Sequence, residues 1–269
     1  MPMNSNSQGS DLHLLQVSDC HLYADPAGSL LGLNTLDSFQ QVLDSACKNQ
    51  TPDMIIVTGD LVHDGSKKGY KTLAKTLAGT GCPSAAIPGN HDHILSMQNV
   101  LKKHHIPAGG KIDLGNWRLI MLNSQVPGKE HGHLSPAELE LLDEALANAP
   151  PHVLIFLHHQ PVPVGNQWLD KIGLDNASEL FSRIKDNPAV KGIVWGHVHQ
   201  PWEGQLGHIQ LLATPSTCIQ FAPGQDEFGL DSQPPGWRML TLGKTGDLHS
   251  QVHHISRMPK GLIADSGGY

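Results

Sequence analysis

The sequence predicts an α/β fold with mixed sheets, and two observations predict it. Short runs rich in Val, Ile and Leu alternate with segments whose apolar residues recur at helical spacing. Five of the apolar runs end in a cluster of Asp, His or Asn: HLLQVSDCH, MIIVTGDLVHD, AAIPGNHDH, VLIFLHH and KGIVWGHVH. In open α/β sheets, ligands bind outside the carboxyl ends of the strands. The fold class therefore brings a functional expectation with it, a single rim carrying Asp19, His21, Asp60, Asn90, His91, His158, His197 and His199.

The elements follow in order. A polar tail is expected over 1–11. A first strand over 12–18 precedes a helix from Thr35 to Asn49, with Leu36, Phe39, Val42, Leu43 and Ala46 on one face. Strands over 53–58, 84–87 and 117–122 come next. Ser135-Pro136-Ala137-Glu138 reads as a capping box with proline at the first helical position. It opens a helix that aligns Leu139, Leu142, Ala145 and Leu146. A strand over 152–157, a short helix from Ala177 to Asp186 ahead of Pro188, and a strand over 190–195 complete this part. From Gly204 onward strands dominate, with candidates at 208–213 and 237–242. These suggest a second sheet within the same domain. One domain over 12–255 and a C-terminal tail over 256–269 are expected.

Composition narrows the function. The net charge is −7 and no basic stripe is present, which excludes a general nucleic-acid binder. An anionic small molecule remains compatible, because bound metal ions would dominate the local charge. Histidine is the compositional outlier at 18 residues, so imidazole chemistry is the first place to look. Cys20, Cys47, Cys82 and Cys218 form no CxxC pair, which argues against a structural zinc site. Scattered thiols fit a reducing compartment. The N-terminal residues show no apolar signal region, and no apolar run approaches the ~20 residues of a membrane helix. A soluble cytoplasmic protein without nucleic-acid or membrane partners is expected; homodimer formation is compatible with the chain.

The clusters carry metal-ligand chemistry. Asp19-x-His21 and His197-x-His199 put alternate residues on one face, so each pair can converge. Gly59 and Gly89 let the backbone turn and leave Asp60 and Asn90 at strand tips. Carboxylate, imidazole and amide oxygen without thiolate suit Mn, Fe or Zn. A single carboxylate such as Asp60 can bridge two ions about 3.5–4 Å apart.

The order D-x-H, G-D, G-N-H-D, H-H, G-H-x-H resembles the calcineurin-like metallophosphoesterases. Leu31-Gly32-Leu33-Asn34-Thr35, Trp168-Leu169-Asp170, Asn176 and Leu212 to Cys218 are similar to the bacterial class III 3′,5′-cyclic AMP phosphodiesterases. So are Phe221, Phe228, Leu230-Asp231 and Pro235 to Arg238. The resemblance implies a four-layer α/β/β/α sandwich and two divalent or trivalent metal ions, Fe and/or Mn, with Zn as an option. One ion would be held by Asp19, His21, Asp60 and His199, the other by Asp60, Asn90, His158 and His197. Where relatives have H-H-P-P this chain has His158-His159-Gln160-Pro161; His158 is the expected ligand and His159 the alternative. Relatives often carry an acid three residues after the bridging Asp; here that position is His63, and the acid is Asp64. Asp64 either orients His91 or ties down its own loop.

The implied reaction is hydrolysis of a small-molecule cyclic nucleotide, 3′,5′-cyclic AMP, to 5′-AMP by a hydroxide bridging the metals. His91 would be the general acid, and His21, Asp60, Asn90, His91 and His199 would contact substrate. Trp168, Asn176 and Phe221 either shape a base pocket or pack their loops. The alternative activity on the same scaffold is a broad phosphodiesterase acting on 2′,3′-cyclic nucleotides or other diesters. A non-catalytic scaffold would be marked by lost ligands, and all seven positions are filled.

Overall fold

The computed structural model describes residues 10–48 and 50–263. The outer parts of both expected tails, 1–9 and 264–269, and the expected helix end at Asn49 lie outside the described residues. In chain order the strands are β1 Leu12–Val17, β2 Ser29–Leu30, β3 Leu33–Asn34, β4 Met54–Thr58, β5 Ser84–Ile87, β6 Gly110–Leu114, β7 Trp117–Met121, β8 His152–Phe156, β9 Val190–Trp195, β10 Trp202–Leu206, β11 Ile209–Ala213, β12 Gly236–Leu242 and β13 Leu248–His254. The helices are α1 Thr35–Cys47, α2 Lys67–Gly79, α3 Ile94–Lys103, α4 Pro136–Ala147, α5 Gln167–Asp170 and α6 Ala177–Ile184.

Two mixed sheets form, in the orders β13-β12-β1-β4-β5 and β10-β11-β9-β8-β7-β6. Side-chain alternation along each strand sets the layering. Leu14, Met54 and Ile56 of the first sheet meet Leu119, Met121, Leu154 and Phe156 of the second in a core between the sheets. The intervening residues Leu15, Val17, Ile55 and Val57 turn the other way and pack with Phe39, Val42, Tyr70, Leu73, Met97 and Leu101 of α1, α2 and α3. In the second sheet Ile120, Val153, Ile155 and Ile193 pack with Leu139, Leu142, Leu180 and Ile184 of α4 and α6. The result is the four-layer α/β/β/α sandwich. Strands buried on both faces read as continuous apolar runs, which is why these were legible.

The strands after Gly204 do not build a second sheet of their own. β10 and β11 extend the sheet of β6 to β9, while β12 and β13 return to the first sheet, β12 antiparallel to β1 from Leu12↔Leu242 to Gln16↔Arg238. β4 takes only one side of β1, so the other needs a partner, and an uncovered edge strand is a liability. Within the two large sheets, the strands that apolar runs did not reveal, β6, β10 and β13, are all sheet edges with residues exposed in alternation.

Helix α2 carries Tyr70, Leu73, Ala74 and Leu77 on its buried face and is capped by Ser66, whose hydroxyl accepts from Gly69 N–H. The expected capping box of α4 is half present. Ser135 Oγ accepts from Glu138 N–H at 3.3 Å, but Glu138 Oε2 accepts from Asn123 N–H at 3.0 Å. Glu138 thus joins α4 to the loop after β7 instead of returning to its cap. In the stretch expected as a C-terminal tail, Met258 and Leu262 pack against the core beneath α4 and α6, and Ile263 N–H donates to Leu31 O at 2.9 Å.

Arg118 on β7 ties the far end of this layer. Its guanidinium donates to both oxygens of Asp113 on β6 and to Ala145 O and Asn148 O at the C-terminus of α4. Arg118→Met is expected to leave those carbonyls short of a donor and to cost about 2–3 kcal/mol, read as a lower urea midpoint at unchanged m-value. The guanidinium holds the Asp113 carboxyl below its ordinary value of 3.8. This contribution is therefore present above that pH and lost as pH falls through the depressed value. The carboxylate is 54% exposed, so solvent screening keeps the pH-dependent part small.

Candidate metal centre

The loops after β1, β4, β5, β8 and β9 converge where the two sheets meet. Backbone bonds lock them together: Asp19 N–H to Gly59 O (3.0 Å), His21 N–H to Asp60 O (2.8 Å) and Gly196 N–H to His158 O (3.2 Å). The crossing between sheets is made by Asp19, whose carboxylate accepts from His197 N–H at 3.1 Å. Asp19, His21, Asp60, His197 and His199 all have positive φ, from 44° to 66°. Such residues carry local strain that survives only where the surroundings over-determine it, and they gather at functional sites. Gly89 is held to glycine by space: a Cβ there would run into the Asp60 carboxylate and the His158 ring.

The side chains form one buried cluster. Asp60 Oδ2 lies 3.4 Å from His158 Nε2 and 3.7 Å from His21 Nε2, while Oδ1 accepts from His91 N–H at 2.9 Å. On one side, His21 Nε2 and His199 Nε2 approach to 3.3 Å, and His199 Nε2 is 3.4 Å from Asp19 Oδ1. On the other, His158 Nε2 is 3.2 Å from Asn90 Oδ1, and His197 packs edge-on against the His158 ring. Two ring nitrogens are committed outward: His158 Nδ1–H donates to Thr58 O (2.7 Å) and His199 Nδ1–H to Ile219 O (3.0 Å). That leaves the Nε2 atom of each ring facing the cluster.

This donor set fits metal ions. His197 Nε2 is buried and has no hydrogen-bond partner, a costly state unless another electrophile takes its lone pair. Burial pushes His21 well below its ordinary value, and burial together with His158 takes His197 to about 3. Both are therefore neutral imidazoles, the form that binds metal. Burial would raise the Asp60 carboxyl, but His158, His91 and His21 hold it well below the usual carboxylate range. Burial opposes charge on His158 too; Asp60 overrides it and lifts His158 to about 9. A metal taking His158 Nε2 has to displace that proton.

The expected residues all reach this rim except Asp64. Its oxygens accept from Ala24 N–H (2.9 Å) and Ser66 N–H (3.1 Å), the loop-tying arrangement. The His159 ring lies beside His197 at 4.7 Å, but both of its nitrogens are engaged elsewhere: Nδ1 pairs with Ser124 Oγ (2.8 Å) and Nε2 with Glu130 O (3.1 Å). Asn176 is not at the cluster; its amide brackets Leu134 through N–H and C=O.

Two residues without an expected role matter here. His63 Nδ1 is 3.1 Å from His21 Nδ1, and its ring stacks on His91 at 4.6 Å and 22°. Asp92 accepts from Leu61, Val62 and Gly89 N–H and from Tyr70 O–H, stitching the loops after β4 and β5. Burial and the charge of Asp60 raise Asp92 to about 7. The GNHD quartet was the available signal for Asp92, but its partners Leu61 and Val62 lie about 30 residues upstream, beyond any local pattern.

A cavity of about 600 Å³ opens from the cluster, lined by Asn90, His91 and His197 together with Trp168, Phe221 and Phe228. Lys129 and Lys171 also face it. No helix among the described residues is long and apolar enough to cross a membrane.

Known proteins resemble this chain in sequence and in architecture. The chain is 36% identical over 273 aligned residues to the 3′,5′-cyclic adenosine monophosphate phosphodiesterase CpdA of Pseudomonas aeruginosa, covering all of both chains. It is 41% identical over 248 residues to the protein of the same name from Escherichia coli K12, covering 91% of this chain and 90% of that one. A dimetal phosphatase from Danio rerio superposes with a TM-score of 0.61 at 17% identity over 91% of this chain and 99% of the other, a likeness of fold alone. The family model for calcineurin-like phosphoesterases matches residues 12–201, a span that contains all five strand-end clusters. With that match over well over half of the chain and these relatives over nearly its full length, the chain belongs to the calcineurin-like phosphoesterase family.

Proposed function

We propose that this chain hydrolyses 3′,5′-cyclic AMP to 5′-AMP at a dinuclear metal centre. The observation that carries the reading is Asp60 Oδ2, set between His21 Nε2 and His158 Nε2 where one carboxylate can serve two ions. The choice of cyclic AMP rests on the near full-length identity to relatives named for that activity.

Asp19, His21, Asp60 and His199 would hold one ion, and Asp60, Asn90, His158 and His197 the other. Fe and/or Mn suit this donor set, with Zn as the alternative. Bound there, the ions supply an acidified water and positive charge beside the phosphoryl oxygens. The chain's own residues do the rest. Lys129 and Lys171, offset in part by Glu130, line the cavity and offer cationic groups to an anionic substrate in a chain of net charge −7. His91, held beside Asn90 at the cavity wall, gives its proton to the 3′ oxygen as the P–O3′ bond breaks, leaving a free 3′ hydroxyl and a 5′ phosphate. Asp92 keeps the loops of Asp60 and His91 in register. All four cysteines are free, which supports a cytoplasmic setting.

The test is turnover by the metal-loaded enzyme on 3′,5′-cyclic AMP beside 2′,3′-cyclic AMP, with loss on chelation and recovery on adding Mn²⁺ or Fe²⁺. Preference for the 2′,3′ isomer would overturn the substrate reading. The ligand choice has its own check. His158→Asn is expected to lower bound metal toward one ion per chain, and His159→Asn to retain two, measured by elemental analysis. The opposite result would move the ligand to His159.

A further inference from the structure

We propose that Trp168 and Phe228 form the corner that binds the nucleobase of the substrate, with Phe221 as the residue that fixes that corner relative to the metal centre; this rests on the cyclic-nucleotide reading above. One cavity holds both ends of the argument, since Asn90, His91 and His197 line it together with Trp168, Phe221 and Phe228. At about 600 Å³ it falls in the range of small-ligand sites, and it extends well beyond what a cyclic phosphate alone needs.

The aromatic side chains come from sequence-distant places. Trp168 sits in the four-residue α5, and Phe228 in a loop whose residues from Pro223 to Glu227 are exposed. Each is half-buried at the cavity instead of being sealed in the core. Their ring centroids are 5.6 Å apart with planes at 68°. That leaves no slot between them for a sandwiched base. A base instead lays its face on one ring and its edge against the other, the offset and edge-to-face geometry that aromatic groups prefer. Phe221 is buried and meets both rings edge-on, at 5.0 Å and 5.5 Å. Its own face stacks on the His199 imidazole at 4.1 Å and 7°, and its N–H donates to His199 O. The corner is therefore referenced directly to a side chain of the metal cluster. Phe221 is a positioning residue; Trp168 and Phe228 make the contact.

Stacking on a protein ring is tolerant of base identity but rewards having a base at all. The probes are 3′,5′-cyclic AMP and the methyl riboside 3′,5′-cyclic phosphate, the same reacting ring without adenine. The wild-type enzyme is expected to favour cyclic AMP in kcat/KM by about 5- to 100-fold. In Trp168→Ala and Phe228→Ala the ratio between the two substrates should collapse toward unity, through a higher KM for cyclic AMP with little change in kcat, the pattern of lost uniform binding. If either alanine variant loses its metal, Trp168→Leu or Phe228→Leu, which removes the ring face while keeping bulk, is judged by the same ratio. A wild-type ratio near one, or a ratio that persists in both variants, overturns the base corner. A wild-type enzyme that turns over neither probe overturns the phosphodiesterase reading itself.

Discussion

Asp60→Ala is expected to empty both metal sites and to abolish measurable phosphodiesterase turnover. The effect is large because one side chain carries three duties: Oδ2 faces His21 on one side and His158 on the other, and Oδ1 accepts the amide of His91. Loss of the carboxylate also leaves His158 without the charge that lifts it to about 9, so a buried imidazole loses its ion-pair partner. Removing one member of a buried pair typically costs about 3–5 kcal/mol, so apo-protein stability should fall as well. Asp60→Asn separates the two consequences. The amide oxygen can still accept from His91 N–H, so folding should be nearer wild type while the charge that holds two cations is gone. Elemental analysis of freshly purified protein decides the matter: two ions per chain in Asp60→Ala would end the bridging assignment.

His91→Gln is expected to keep both ions and lose about 10²- to 10⁴-fold in turnover on cyclic AMP, the usual worth of a positioned general acid. The His91 backbone N–H bonds Asp60 and is kept in the variant, so the metal side of the cluster should survive. Leaving-group dependence makes the role specific. A nitrophenyl diester expels an oxygen that needs no proton, so the variant should retain far more of its activity on that substrate than on cyclic AMP. An equal loss on both substrates would make His91 a binding or structural residue instead.

Much of the fold was legible because the strands that matter are buried on both faces. The parallel strands β1, β4, β5, β7, β8 and β9 read as near-continuous apolar runs, and each was expected within a residue or two of its bounds. The edge strands β6, β10 and β13 alternate with solvent and carry no such run. Helix α2 had the signal, with Tyr70, Leu73, Ala74 and Leu77 at helical spacing, but its lysine-rich first turn and Gly69 disguise it. The C-terminal strands expected at 208–213 and 237–242 are present as β11 and β12, and only their grouping into one sheet differs. Local pattern says that β12 is a strand but contains nothing about which sheet has a vacant edge, and that is settled some 220 residues earlier at β1.

The candidate site divides along the same line. Five strand ends rich in Asp, His and Asn were enough to expect a metal rim, because strand alternation and parallel sheets put those ends together in any such fold. The sequence by itself therefore determined the chemical class of the centre and the family order of its residues. What the tertiary structure decided was orientation. His158 and His159 are adjacent and chemically identical; they differ because Thr58 O anchors the Nδ1 of one, while Ser124 and Glu130 O take both nitrogens of the other. Asp64 turns to the amides of Ala24 and Ser66, and His63 comes to pack against both His21 and His91. A motif specifies which groups are available at a strand end, whereas the direction in which each points is set by hydrogen-bond partners supplied from distant parts of the chain.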